Sequence, residues 1–232
     1  LNRQFSAGVL AALFSMLAMG GCLLVLAQWL QLGEGHSPLQ AGFRLLPFAG
    51  GAVITSVISR WLVDLLGARR VIALGLWLPA IGLLMMWLAP GPISYPWVVA
   101  AMVLQGAGAG SLAIASAMIM GGSPPDRAGN AAAMDETAYD IGNVLGVAVL
   151  GTIAAVAFSA KVGTDVPGAD ESLAGALEIA HATGSPELAA TAITAFNDAV
   201  GKVGLAGAVI LALAGALVYL LTPSSLDLDA GH

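Results

Sequence analysis

Charge is what this chain has least of: 9% of its 232 residues are Asp, Glu, Lys or Arg, against 58% hydrophobic residues and a mean hydropathy of +0.89. A soluble protein of that size has no interior able to hide so much apolar side chain. The eight basic residues are scattered and the formal net charge is -6, which leaves no basic surface for nucleic acid. The lone cysteine, Cys22, permits no internal disulfide and carries no redox signal. His36 and His181 have no nearby cysteine or histidine and His232 is terminal, so neither a metal site nor a cofactor is expected. No serine belongs to an evident histidine and acid constellation, which argues against an enzyme. The chain starts at Leu1 without a methionine, a charged leader or a small-residue cleavage pattern. Its first apolar run is therefore not read as a signal peptide, and an upstream portion is expected.

What the chain does have is six apolar segments long enough to cross a hydrocarbon layer of roughly 30 Å. They fall at residues 5–30, 41–63, 71–89, 95–120, 131–158 and 200–221, which makes the fold class all-α and polytopic in the membrane. The breaks are Gly33 through Pro38, Gly67 through Arg70, Pro90-Gly91-Pro92 and Gly121 through Arg127. Pro79 is expected to kink the third helix, and Gly106, Gly108 and Gly110 offer both close packing and a bend in the fourth. The chain thus divides into five spans over residues 1–158, a long connection at 159–199, a sixth span at 200–221 and a tail at 222–232.

Arg3, Arg69, Arg70 and Arg127 fall in alternate connections on the same side as the tail, and the positive-inside rule makes that side cytoplasmic. The chain is then a multi-pass protein of the cytoplasmic (inner) membrane. The 159–199 connection holds Asp165, Asp170, Glu171, Glu178, Glu187 and Asp198 against Lys161, and is expected outside. Leu173, Ala176, Leu177 and Ala180 form one short apolar stripe, and Ala189, Ile193 and Phe196 another, with Gly184-Ser185-Pro186 between them. Both an external helical hairpin and a mobile connection fit this pattern.

Carboxylates are too costly in hydrocarbon to be filler, yet Asp135, Glu136 and Asp140 lie within the fifth apolar segment. Glu136 and Asp140 are four apart and share one helix face, while Asp135 is turned about 100° from Glu136. An apolar setting or a carboxylate neighbour favours the protonated form of an acid, which suits a proton carrier. Once ionised, the same stripe attracts an organic cation. The competing reading is that acids near a helix N-terminus simply meet water or complement its dipole, and this reading is strongest for Asp135. Gly142 and Gly146 are spaced for helix packing.

Arg60, Asp64, Arg69 and Arg70 surround the end of the second helix, where they serve either as a conformational gate or as ordinary topology anchors. Asp64 and Arg60 are also a plain i,i+4 pair. Met16, Met19, Gln28 and Trp29 are candidate substrate-lining residues, with Trp29 equally readable as an interfacial anchor.

Three passages in order carry a family resemblance: Gln28-Trp29-Leu30-Gln31 through Ser37-Pro38-Leu39-Gln40-Ala41-Gly42, then Arg44-Leu45-Leu46-Pro47, then Asp64-Leu65-Leu66-Gly67-Ala68-Arg69-Arg70. With Gly129 through Gly151, which contains the acids, the chain resembles the last six helices of the fourteen-helix drug/proton antiporters of the major facilitator superfamily. The likeness is greatest to the quaternary-ammonium and dye efflux branch. It implies the six-helix C-terminal bundle of a major facilitator fold. It further implies proton-coupled export of amphipathic organic cations, with the family's acids mapping onto Glu136 and Asp140 and with Asp135 beside them. The partners it implies are protons, the cations, the lipid bilayer and N-terminal helices of the same transporter. Transport of another organic solute and a noncatalytic membrane assembly module are the alternative functions.

Overall fold

The computed structural model describes residues 3–89, 93–163 and 166–223. The Pro90-Gly91-Pro92 break, Asp165, and all of the tail except Thr222 and Pro223 lie outside the described residues. The described residues form helices and no strand, and six helical stretches are long and apolar enough to cross a membrane.

The first span is α1, Arg3–Gln28, continued by a wider π-helical turn over Trp29–Gly33. The second is divided into α2, Pro38–Arg44, and α3, Leu46–Leu66. Local chemistry sets these bounds. Ser37 accepts from the Gln40 backbone N–H while Gln40 returns a bond to the Ser37 N–H, a reciprocal cap with Pro38 preset in the first turn. Pro47 then has no N–H to give the Phe43 carbonyl, so the helix is interrupted at Leu45. Gly67, at φ 82, reverses the chain directly into α4, Ala68–Trp87, a backbone angle that a side chain disfavours.

The fourth span tightens where its glycines cluster. It consists of α5, Tyr95–Ala107, a tighter 3-10 stretch over Gly108–Ser111, and α6, Leu112–Gly121. The fifth is α7, Ala128–Val162, and the sixth belongs to α9, Pro186–Leu221, which begins well before the expected start at Val200. The reason is the start signal at its head: Ser185 Oγ accepts from the Leu188 N–H, Pro186 occupies the first turn and Glu187 follows it.

At 35 and 36 residues, α7 and α9 are each about 50 Å long and overreach the hydrocarbon by about 20 Å. Against the overhang of α9 packs α8, Leu173–Thr183, capped by Ser172 at its start and by Gly184 at φ 62 at its end. Leu173, Ala176 and Ala180 of α8 and Ala192, Ala195 and Phe196 of α9 are buried, and Phe196 meets Phe158 edge to face at 6.3 Å between ring centroids. Lys161 and Asp198 form an ion pair at this junction, but both are exposed and such pairs are worth at most about 1 kcal/mol. Apolar burial holds the hairpin.

Within the bundle α1 packs most extensively on α7, and α4 on α9. The α1–α7 contact runs through small residues: a Cβ on Gly21 would lie 2.5 Å from the Gly146 carbonyl oxygen, and one on Gly142 or Gly146 would run into the Leu13 or Leu17 carbonyl. Close backbone approach of this kind is how helices associate where lipid removes the hydrophobic drive. Gly146→Ala is therefore expected to destabilise the purified protein by about 1–3 kcal/mol, the usual cost of overpacking. An unchanged melting temperature would contradict that approach. By contrast, α3 stands at the margin, with Val53, Ile54, Val57, Trp61 and Leu65 forming an exposed apolar face.

Candidate functional site

The three acids of α7 are parted by the seam that buries this helix. Ala131, Ala138, Gly142, Gly146, Leu150 and Ala154 follow one another at mostly four-residue steps and are buried against neighbouring helices. Glu136 and Asp140 stand away from that seam, both exposed and one helical turn apart. Asp135 lies at the edge of the seam facing α6 and is half-buried. Its Oδ2 accepts a hydrogen bond from Ser116 Oγ at 2.5 Å, and Ser116 Oγ lies 2.9 Å from Tyr139 Oη. A serine hydroxyl has one proton. With that proton given to Asp135, the second contact is donated by Tyr139, so the chain runs from Tyr139 through Ser116 to Asp135. Asp135 Oδ1 is buried with no hydrogen-bond partner among the described residues.

Residue spacing alone ranked Asp135 as the acid most easily explained by the helix terminus, yet it is the one engaged inside the bundle. Tyr139, four residues on, was open to discovery as its same-face neighbour. Ser116 was not, because nothing in α6 marks which serine meets α7.

The lining candidates are dispersed. Met16 and Met19 border a small, partly open cavity of about 20 Å³, far below the few hundred Å³ of a pocket for a drug-sized molecule. Gln28 is exposed at the end of α1. Trp29 is 1% exposed, and its Nε1–H donates to Asn197 Oδ1 at 2.9 Å, so it ties the first span to α9 rather than lining an open surface. The wider π-helical turn places it there, and Asn197 is 168 residues away in sequence.

The four residues around the α3–α4 junction also separate. Arg60, Asp64 and Arg70 are exposed, and no ion pair joins Arg60 to Asp64 among the described residues. Arg69 points elsewhere: its Nε–H donates to the Tyr219 carbonyl at 2.7 Å and its guanidinium lies 4.1 Å from the centre of the Tyr219 ring. Arg3 donates to the next carbonyl, Leu220, at 3.3 Å. Two arginines thus satisfy carbonyls that the last turn of α9 leaves without helical donors, a stabilising arrangement at the negative end of a helix dipole. Arg127 borders an open pocket with Phe5 and Met134, which puts a third basic residue at the same end of the bundle. Among the described residues no three His, Cys, Asp or Glu side chains are grouped as metal ligands.

Comparison with known proteins places this geometry in context. The model of the Major Facilitator Superfamily matches residues 8–163. The multidrug efflux pump LfrA of Mycolicibacterium smegmatis is 31% identical over 92% of this chain and 45% of its own length. The methyl viologen resistance protein SmvA of Salmonella typhimurium is 32% identical over 69% of this chain and 33% of its own. The multidrug resistance protein Stp of Mycobacterium tuberculosis is 34% identical over 62% and 27%, respectively. The chain spans less than half the length of each of these relatives.

Proposed function

The chain belongs to the major facilitator superfamily, and from that premise we propose that it supplies the C-terminal six-helix part of a proton-coupled exporter of hydrophobic or quaternary-ammonium cations. The observation that carries this reading is the division of labour along α7: Glu136 and Asp140 stand one turn apart on its open face, while Asp135 is bonded inward through Ser116. Charged groups on an intramembrane helix bring a desolvation cost that a bound cation or a bound proton relieves. One acidic stripe thereby serves two competing ligands. A cation arriving from the cytoplasm binds the ionised acids, and a proton arriving from outside neutralises them and releases it. The relatives named for multidrug efflux and for methyl viologen resistance agree with this, methyl viologen being a quaternary dication.

The exposed faces of α3 and α7 meet the remaining helices of the transporter in this reading, and the cation path runs between the two halves. The end that gathers Arg3, Arg69 and Arg127 faces the cytoplasm of a bacterial inner membrane. The α8–α9 hairpin stands outside. The full transporter in sealed proteoliposomes tests the proposal: adding a quaternary-ammonium dye under an imposed pH gradient should release protons in step with dye movement. Dye movement indifferent to the gradient would remove proton coupling, and no dye movement would remove the substrate class.

Asp64 acts in this scheme as a cytoplasmic gate whose partner lies across the open α3 face. Asp64→Asn is expected to slow turnover of many substrates while leaving their equilibrium binding nearly unchanged. Loss of binding confined to one cation would instead place Asp64 in the recognition site.

A further inference from the structure

At the centre of the bundle, on the side of α1 that carries Met16 and Met19, Ser15 of α1 and Gln105 of α5 both line the 20 Å³ cavity. Ser15 Oγ and Gln105 Nε2 are buried, and neither has a hydrogen-bond partner among the described residues. Gln105 is 6% exposed, and its amide also approaches the Cys22 thiol, a weak partner. On α4 the Gly75 carbonyl lacks its helical donor and lies against Gly108, another lining residue. Gly75 lines the cavity four residues before Pro79, which has no N–H to donate to the Gly75 carbonyl.

A buried polar group left unpaired is costly, so Ser15 Oγ and Gln105 Nε2 on one small cavity mark a built polar site. Size selects what it takes. About 10–15 Å³ holds one water, which needs two to four polar partners. The lining has no charged side chain to favour an ion. We infer that the Ser15–Gln105 cavity binds one water molecule, which accepts from Gln105 Nε2, pairs with Ser15 Oγ and donates to the Gly75 carbonyl. The water joins α1, α4 and α5 one turn before the 3-10 stretch at Gly108–Ser111. A joint of this kind lets α5 shift against α1 without stranding either side chain, because water re-aims its bonds.

A double-mutant cycle in the full transporter tests the site through stability, independently of what is transported. Ser15→Ala and Gln105→Met should each lower the melting temperature by about 1–2 °C in a transporter roughly twice the length of this chain. The double variant should fall no further than the worse single one, because both lose the same water. Singles that leave the temperature unchanged or raise it would show two unpaired groups being relieved, and strictly additive losses would show two separate interactions; either outcome overturns the site. Should a variant fail to fold, a high-resolution structure of the unaltered protein decides the matter. A solvent peak within hydrogen-bonding distance of Ser15 Oγ and Gln105 Nε2 supports the site, and an empty cavity overturns it.

Discussion

Asp140→Asn is expected to abolish proton-driven export of strongly cationic substrates by the full transporter, at unchanged membrane abundance. Asn keeps the shape of the side chain and its place on the open face of α7, and it removes only the charge. A quaternary cation has no N–H, so its attraction to the carboxylate is coulombic; close charge pairs at binding interfaces couple by roughly 1.5–7 kcal/mol, and each 1.4 kcal/mol is tenfold in affinity, so dication binding should weaken by about tenfold or more. Glu136→Gln, one turn nearer the cytoplasmic end, should affect overlapping substrates with a smaller loss, since water reaches it more readily. Monovalent cations should suffer less than divalent ones from either change. Wild-type export and proton exchange in both variants would show that the open-face acids are not the cation site.

How much of this site was legible in sequence follows from the range of the interactions involved. The six spans come from apolar runs, which are local, and the stripe of Glu136 and Asp140 follows from helical period alone. The small-residue seam at Gly142 and Gly146 was legible for the same reason, although its partners Leu13 and Leu17 were not. Long-range side-chain pairing stayed hidden. Trp29 ends an apolar run and reads as an interfacial anchor or a lining residue, and nothing in the sequence marks Asn197, carried in by the early start of α9, as the acceptor of its indole N–H. Arg69 sits in a basic doublet that reads as topology or gate, and only the fold shows that it caps the last turn of α9. The i,i+4 spacing of Arg60 and Asp64 permits an ion pair but cannot require one, because an exposed pair gains too little to fix two long side chains.

Asp135→Asn is expected to separate binding from coupling, which Asp140→Asn does not. In the charged state Asp135 receives the Ser116 proton, and Ser116 receives that of Tyr139. A proton added to Asp135 allows the chain to run the other way, with the acid donating to Ser116 and Ser116 to Tyr139, so the three groups accommodate both states without moving the helices apart. Asp135 Oδ1 is buried and has no hydrogen-bond partner among the described residues, which leaves it room for an added proton. Asn at this position holds the site in its neutral form. Equilibrium binding of a quaternary dye should then stay within about threefold of wild type, a difference below 1 kcal/mol, while dye-driven proton release falls to background. Tyr139→Phe, which removes the far end of the chain and leaves Ser116 on the carboxylate, should slow exchange without abolishing it. Should Asp135→Asn leave proton release intact, the inward-bonded acid is a packing element, and protons reach Glu136 and Asp140 on the open face without it.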